Sequence, residues 1–307
     1  MRHRILTTGA AGDIGLGIIR ILKKWKKDWV FFGSDIENFN SSKVYMDYFT
    51  NSPRADGENY ISWLSNFIIE NKISILIPTS EAEIKVISKN IEIFRSTKVL
   101  INNSTIVQNF LDKNLTLSIL GELNITVPEH GIVSLAKPKK YPVFIKPITG
   151  QGSKDCHVIY DGLSLEKFDS SYVWQEYLEP QKEEYTCPIF SSSNGQIRYL
   201  VMKRKLENGF TKEGIVVDDG MINSYVEEIA KKINFIGCIN IQLRKTNKGP
   251  LLFEINPRIS STVVFRDKMG FTDLKWWIMD LLELQIPKYT KPRTGLKFYR
   301  GIKEYIY

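Results

Sequence analysis

The sequence has few cysteines and no long hydrophobic run, and each absence excludes a class of protein. Its three cysteines, Cys156, Cys187 and Cys238, lie far apart in the 307-residue chain and form no Cys-x-x-Cys pair. A disulfide scaffold and a cysteine-ligated metal site are therefore not expected. No apolar run approaches the roughly 18 residues that a membrane-spanning helix needs, so no membrane span is expected. The first residues, MRHRILTTG, lead directly into a strand pattern without a signal peptide, and we expect a cytoplasmic protein.

The charge balance is basic, but the basic residues are scattered. The chain has 42 Lys and Arg against 34 Asp and Glu, a formal net charge of +8. The densest cluster, KKWKK at residues 23–27, ends the first predicted helix, where cations interact favourably with the helix dipole. No basic stripe alternates with aromatic residues, so we expect no nucleic-acid partner. A polyanionic small substrate remains compatible with this charge.

The first pattern that indicates chemistry is ILTTGAAGDIG at residues 5–15, a strand that runs into a glycine-rich turn and a helix. This order is typical of dinucleotide-binding units and suggests an NAD(P)-dependent sugar dehydrogenase or epimerase. A short-chain dehydrogenase also needs a Tyr-x-x-x-Lys pair on one helix. That spacing occurs at Tyr199/Lys203, just after a predicted hairpin turn, and at Tyr299/Lys303, near the C-terminus. We interpret both as chance matches, which makes the dehydrogenase the weaker alternative.

Strand and helix patterns alternate over the first hundred residues and then change to hairpins. The alternation predicts an open parallel sheet with helices on both faces. After Ser104 a helix pattern, DKNLTLSILGELNI, precedes hairpin-like strands, among them PVFIKPI and CHVIYD. Asn194-Gly195 is a strong hairpin turn, and a second hairpin turns at NKG. The sequence therefore predicts a three-layer α/β lobe followed by two α+β lobes.

A second candidate nucleotide site lies in FIKPITGQGSKDCHVI. Here Lys146 is on a predicted strand, and the loop after it contains Gly150, Gly152, Ser153 and Lys154. Exposed amides flanked by ammonium groups suit a polyphosphate, although a plain flexible turn is an equal alternative and the Walker A pattern is absent. The strand YVWQEYLEP then turns polar before a proline. It could present backbone groups to adenine and a carboxylate to a ribose.

The most specific pattern is INIQLRKTNKGPLLFEINPR, two strands joined by a glycine turn. Alternation along a strand places Glu254, Asn256 and Arg258 on one face, with Gln242 on the neighbouring strand. Oxygen ligands of this kind, completed by water and phosphate, suit Mg²⁺. The alternative is a surface strand whose polar groups are satisfied. Because the residues lie inside an apolar strand that ends in Pro257-Arg258, we favour a metal site.

Taken together, these motifs resemble the ATP-grasp superfamily, and they are most similar to its carbamoyl-phosphate-synthase-like branch of carboxylate–amine ligases. The resemblance covers nearly the whole chain. It implies an α/β N-terminal Rossmann-like (pre-ATP-grasp) lobe, which does not bind NAD, followed by two α+β lobes of an ATP-grasp fold. The implied domains are residues 1–106, 107–177 and 178–307.

The resemblance also implies an activity and a set of site residues. The activity is an ATP- and Mg²⁺-dependent ligation of a small-molecule carboxylate to an amine through an acyl phosphate, with Mn²⁺ as an alternative metal and a homodimer left open. The implied nucleotide-binding residues are Lys113, Lys146, Gly150, Gly152, Ser153, Glu176, Tyr177, Leu178 and Glu184, the last as a ribose carboxylate. The implied metal ligands are Gln242, Glu254 and Asn256, and the implied catalytic residue is Arg258, acting on the transferred phosphoryl group.

The sequence departs from the family pattern in two segments. The phosphate loop, TGQGSKD, has fewer glycines than is usual, and FTKEGIVV lacks the double glycine of many relatives. The roles of Arg204, Lys205 and Lys212 therefore stay open. No biotin-carrier or glutaminase region follows, which argues against a carboxylase or a full synthetase. An ATP-grasp kinase or a carboxy-phosphate-forming enzyme remains an alternative, since family analogy does not name the substrate.

Overall fold

The computed structural model describes residues 2–38, 40–150, 155–180 and 183–301, and three β-sheets organise this part of the chain. The N-terminal sheet has five parallel strands in the order β3-β2-β1-β4-β5, as the alternating patterns predict. Its strands are β1 (Arg4–Thr8), β2 (Val30–Asp35), β3 (Tyr48–Asn51), β4 (Ile75–Ile77) and β5 (Lys98–Val99), and its helices are α1 (Asp13–Trp25), α2 (Tyr60–Glu70) and α3 (Glu81–Lys89). The short edge strand β3 was not predicted, because its residues lack a buried apolar face.

The two faces of the N-terminal sheet contribute to different hydrophobic cores. Ile5 and Phe31 belong to a core that includes α1 and apolar residues of the C-terminal part of the chain. Leu6 and Phe32 belong to a core on the side of α2. Since neighbouring residues of a strand point to opposite faces, each apolar run supplies both cores. Burial on both faces explains why these strands are continuously apolar.

The glycine turn after β1 lies close to the start of α3. Gly9 adopts a φ of +60°, and a Cβ at this position would lie 2.6 Å from Thr79 Oγ1, so the turn requires glycine here. Helix α3 begins with a capping box in which Ser80 and Glu83 satisfy each other's backbone N–H groups. This arrangement places Glu81, the first residue of α3, beside the carboxyl edge of the sheet.

The second sheet is antiparallel, with the strand order β6-β9-β7-β8. The predicted pairing of PVFIKPI with CHVIYD is confirmed, because Val143 is opposite Ile159. The sheet has a small core of its own, which includes Ile145 and Trp174. Its strands are β6 (His130–Ile132), β7 (Val143–Pro147), β8 (His157–Ile159) and β9 (Tyr172–Glu176), and the short helix α6 (Gly162–Leu165) follows β8.

The third sheet is also antiparallel and contains both predicted hairpins. Its order is β15-β14-β10-β12-β13-β16, and β11 pairs with β10. Gly195 has a φ of +82° in the turn between β10 and β11, as the Asn-Gly pair predicts. Its strands are β10 (Glu184–Ser191), β11 (Ile197–Tyr199), β12 (Met202–Glu207), β13 (Phe210–Val216), β14 (Gly237–Thr246), β15 (Gly249–Asn256) and β16 (Lys297–Tyr299).

Two helices between the first and second sheets pack on the third sheet. Phe110 and Leu117 join a core with Ile189 and Ile239 of β10 and β14. The predicted boundary at 106/107 falls inside the first of these helices, which was not predicted, whereas the boundary at 177/178 falls between two sheets. The remaining helices are α4 (Ser104–Leu111), α5 (Lys113–Glu122), α7 (Gly220–Ile233), α8 (Val263–Lys268) and α9 (Asp273–Leu281). Within the described ranges no helix has the length and apolar character needed to cross a membrane.

Candidate active site

A cavity of about 1100 Å³ opens between the three sheets and brings most of the predicted site residues together. One wall is the carboxyl edge of the N-terminal sheet, including the glycine turn. The second sheet and the β14–β15 hairpin form the other walls. The predicted residues that line the cavity are Lys113, Lys146, Gly150, Tyr177, Leu178, Glu184, Gln242, Glu254, Asn256 and Arg258. Gly152 and Ser153 lie outside the described residues.

Lys146 is a buried cation in the wall of this cavity. Its strand, β7, carries it inward, and its Nζ donates a hydrogen bond to the Phe253 carbonyl at 2.7 Å. Burial lowers the pKa of Lys146 to about 8, although the nearby Glu254 carboxylate opposes this shift. A buried ammonium group with this pKa is suited to a polyanionic ligand, whose negative charge would stabilise the protonated form.

Lys113 approaches the same region from the start of α5. Its Nζ donates to the Gly150 carbonyl at 2.7 Å, and its backbone N–H donates to Ile148. Gly150 has a φ of +129°, which few residues other than glycine adopt. The lysine is therefore held against the first glycine of the predicted phosphate loop.

The predicted adenine hinge is only partly open to a ligand. Tyr177 and Leu178 line the cavity, but the Glu176 carboxylate forms an ion pair with Lys248 outside it. The Glu176 N–H donates to the Glu129 carbonyl at 2.7 Å, and the Leu178 carbonyl accepts from Arg244 at 2.8 Å. These two backbone groups are therefore already engaged, which the sequence pattern did not indicate.

Two arginines that sequence analysis did not assign surround Glu184. Arg204 Nη2 lies 2.8 Å from Glu184 Oε1, and Arg244 Nη2 lies 2.9 Å from Oε2. The carboxylate is buried between the two guanidinium groups. A role for Glu184 at a ribose stays a prediction. A ribose hydroxyl would have to share a Glu184 carboxylate oxygen with one of these arginines.

The β14–β15 hairpin places the predicted metal ligands together. Gln242 pairs with Glu254 across the hairpin, and Asn240 pairs with Asn256, so all four residues lie on one face. The Gln242 Oε1 atom, however, accepts a hydrogen bond from Arg204 Nη2 at 2.7 Å. Metal binding by Gln242 stays a prediction, and the metal would share the Gln242 oxygen with this arginine. Glu254 and Asn256 supply the hard oxygen ligands that Mg²⁺ prefers. Within the described ranges, no group of three or more His, Cys, Asp or Glu residues could hold a metal ion.

Arg258 lines the cavity but does not continue the β15 alternation. The strand ends at Asn256, and the Arg258 N–H donates back to the Asn256 carbonyl at 2.8 Å, which closes a turn. Arg258 Nη2 forms an ion pair with Glu81 Oε1 at 2.9 Å, and both side chains are largely buried. The salt bridge thus joins the hairpin to the N-terminal lobe and lies in the cavity wall, not on a lobe surface.

The glycine turn has features that oppose a pyrophosphate. The Ala11 N–H, which would face a phosphate, donates to Asp35 Oδ2 at 2.7 Å. A second carboxylate, that of Asp13 in the first turn of α1, lines the cavity here and forms an ion pair with Arg300. Tyr199 and Lys203 lie on strands, as expected for a chance match, and burial raises the pKa of Tyr199, which disfavours a tyrosinate.

Comparison with known proteins gives a fold, and a family model that matches part of the chain. The family described as ATP-grasp in the biosynthetic pathway with Ter operon matches residues 169–300. The large chain of carbamoyl phosphate synthase from Archaeoglobus fulgidus is 26% identical over 182 residues, which are 51% of this chain and 17% of the relative. The chain thus spans less than a fifth of that relative's length.

Two solved structures share the architecture. The biotin carboxylase domain of Hydrogenobacter thermophilus 2-oxoglutarate carboxylase, crystallised with MgADP, ADP and bicarbonate, matches with a TM-score of 0.74 at 15% identity, over 97% of this chain and 73% of that one. The L-amino acid ligase from Bacillus licheniformis matches with a TM-score of 0.74 at 15% identity, over 91% and 74%. At these identities the matches establish a common fold.

Proposed function

We propose that the chain, which matches an ATP-grasp family model over residues 169–300 and shares a fold with a biotin carboxylase domain, is an ATP- and Mg²⁺-dependent carboxylate–amine ligase. We also infer that its N-terminal parallel sheet is the Rossmann-like pre-ATP-grasp lobe and contributes one wall of the substrate cleft. The observation that carries the proposal is the convergence of Lys146, Glu254, Asn256 and Arg258 on one cavity between the sheets. One of the two solved structures is a complex with MgADP, and the other is named an L-amino acid ligase. Both support the same chemistry here.

In the first step, a carboxylate oxygen of the acid attacks the γ-phosphorus of ATP, and the bond to the bridging oxygen breaks to release ADP. Lys113 and Lys146 would bind the phosphate oxygens, Lys146 as a buried point charge. Glu254 and Asn256 would hold Mg²⁺, which supplies positive charge against the phosphates when it is bound. Arg258 would contact the transferred phosphoryl group with its planar guanidinium.

In the second step, the amine nitrogen attacks the acyl carbon, inorganic phosphate leaves, and the amine loses a proton to give the amide. The acyl phosphate is prone to hydrolysis, so the site has to exclude water. Charged side chains from all three sheets surround the cavity. The cavity lies between the lobes, an arrangement that suits closure of the lobes over bound nucleotide.

A co-substrate screen tests this proposal. The protein is incubated with MgATP and with pooled carboxylic acids, pooled amines or both, and phosphate release is measured beside a Lys146→Met control. We expect ADP and phosphate only when an acid and an amine are present together. Phosphate release with bicarbonate alone would indicate a carboxy-phosphate enzyme. ADP formation with an acid alone, without phosphate release, would indicate a kinase.

Equilibrium binding separates the remaining alternative. We expect ATP to bind in the presence of Mg²⁺ and NAD(P) not to bind, because Asp35 occupies the amide of the glycine turn. Micromolar NAD or NADP binding without ATP binding would overturn the ligase assignment.

A further inference from the structure

Among the described residues, three buried N–H donors on the floor of the cavity have no hydrogen-bond partner. One of them belongs to Asn240, a residue that sequence analysis did not assign. Asn240, Asn256 and Arg258 are each more than nine-tenths buried and line the cavity. Asn240 Nδ2, Asn256 Nδ2 and Arg258 Nε have no hydrogen-bond partner among the described residues. Leaving buried donors unpaired is costly. Three such donors on one floor indicate a ligand that brings acceptor oxygens.

The chain path brings these donors close together. Asn240 lies opposite Asn256 in the β14–β15 hairpin, and the Arg258 N–H binds the Asn256 carbonyl. Ser260, two residues further along, returns to Asn240 with its hydroxyl 3.2 Å from Asn240 Oδ1. The segment 256–260 therefore curves around the Asn240 side chain.

Buried neighbours fix the orientation of the Asn240 amide. The Arg266 guanidinium donates from Nε to Asp273 Oδ1 at 2.9 Å and from Nη1 to Ser260 Oγ at 2.9 Å. A guanidinium group can only donate, so Ser260 Oγ accepts that bond. Thr262 Oγ1, also 3.2 Å from Ser260 Oγ, accepts from Arg266 as well and can donate to Ser260, which leaves the Ser260 hydrogen for Asn240 Oδ1. Thr186 Oγ1 also donates to Asn240 Oδ1, at 2.9 Å. With its oxygen held by two hydroxyl groups, the Asn240 amide presents its NH₂ as the unpaired group.

We propose that Asn240 binds a carboxylate oxygen of the acid substrate through Nδ2, beside Arg258 Nε, and that Ser260 positions its amide. This inference rests on the proposed ligase function and adds a substrate-binding residue to it. Since the three unpaired groups are all donors, the ligand has to supply acceptors, as a carboxylate does. Arg258 donates to Glu81 through Nη2, so its Nε is available to donate to the carboxylate of the acid.

A probe titration tests the binding claim directly. Protein labelled with ¹⁵N in its asparagine side chains is titrated with sodium acetate, with and without saturating MgADP, and with sodium chloride at the same ionic strength. The Asn240 NH₂ signals are assigned by their absence from Asn240→Asp and from Asn240→Ser. We expect a saturable acetate-dependent shift of these signals that chloride does not reproduce. An acetate titration that leaves them unmoved overturns the inference.

The same titration tests the positioning role of Ser260. In Ser260→Ala the Asn240 amide loses one of the two hydroxyl groups that hold its oxygen. We expect its NH₂ signals to persist but the acetate-dependent shift to weaken. A shift equal to that of the original protein would exclude Ser260 as a positioning residue.

Kinetics with an acid found in the screen gives the second readout. Asn240→Asp replaces the donor by a group with the same charge as the acid substrate, so we expect the KM for the acid to rise roughly ten- to hundredfold. Asn247→Asp makes the same charge change in the exposed turn of the same hairpin, outside the cavity, and serves as the matched control. Equal KM values in the two variants would overturn the inference. Failure of MgADP to bind at all would instead contradict the proposed function.

Discussion

Arg258 and Glu81 are 177 positions apart in sequence, yet Arg258 Nη2 donates to Glu81 Oε1 at 2.9 Å. The arginine follows the last strand of the β14–β15 hairpin, and the glutamate begins helix α3 of the N-terminal lobe. Their ion pair fixes the hairpin's end against the other wall of the cavity. Consequently the guanidinium that we place at the transferred phosphoryl is oriented by a residue from a different lobe.

We expect Arg258→Ala to reduce kcat by about 10²–10³-fold at saturating substrates, because a charge-stabilising donor is lost from the transition state. The measurement is steady-state phosphate release with the acid and amine from the screen. Arg258→Lys should restore little activity, since a lysine lacks the planar fork. A folded Arg258→Ala protein that releases phosphate at the original rate would show that the arginine is only structural.

We expect Lys146→Met to weaken ATP binding roughly ten- to hundredfold, because it removes a charge-assisted contact of about 1.5–3 kcal/mol. Titration calorimetry with MgATP measures the effect. Lys89→Met, which replaces an exposed lysine at the end of α3 outside the cavity, is the matched control. An ATP dissociation constant that is equal in both variants would contradict the assignment.

The lowered pKa of Lys146, about 8 against an ordinary 10.5, predicts a pH dependence. The charged lysine binds phosphate, so ATP affinity in the original protein should fall as the pH rises through about 8. The unfolded chain keeps its lysine proton up to about pH 10.5. The free energy of unfolding should therefore increase as the pH rises from about 8 to about 10.5. ATP titrations at several pH values measure the first effect, and Lys146→Met should abolish it.

We expect Glu254→Gln to raise the Mg²⁺ concentration needed for half-maximal phosphate release and to lower the rate. A neutral amide is a weaker ligand for a hard cation than a carboxylate. Phosphate release is followed against Mg²⁺ at fixed ATP, with Glu58→Gln, an exposed site in the N-terminal lobe, as the control. An unchanged Mg²⁺ dependence in Glu254→Gln would remove this residue from the metal set.

The Arg266–Asp273 pair, with both side chains only 1% exposed, predicts a large effect on stability. Asp273→Ala leaves a buried guanidinium without its counter-ion, which typically costs about 3–5 kcal/mol. Urea unfolding measures the loss. Glu92→Gln breaks a solvent-exposed pair with Arg95 and should leave the unfolding midpoint unchanged. Similar midpoints in the two variants would contradict the prediction.

Local patterns in the sequence predicted the main elements of the fold. Alternating strands and helices indicate a parallel sheet, and a strand with a two-residue period places Glu254 and Asn256 on one face whatever surrounds it. The hairpin turn at Asn194-Gly195 follows in the same way from the conformations that these two residues favour. The short strand β3 and helix α4 were not predicted, because their stability comes from neighbouring elements in the fold.

Only the tertiary structure decided which partners the polar side chains of the site have. The sequence gives no indication that Arg204 and Arg244 surround Glu184, that Arg204 also binds Gln242, or that Glu81 holds Arg258. These pairs join residues distant in sequence, and burial makes their hydrogen bonding obligatory. The same holds for Asn240, whose unpaired NH₂ follows from two hydroxyl groups that the fold brings to its oxygen. Periodicity fixes the face on which a side chain lies, but its hydrogen-bond partners depend on how distant segments pack.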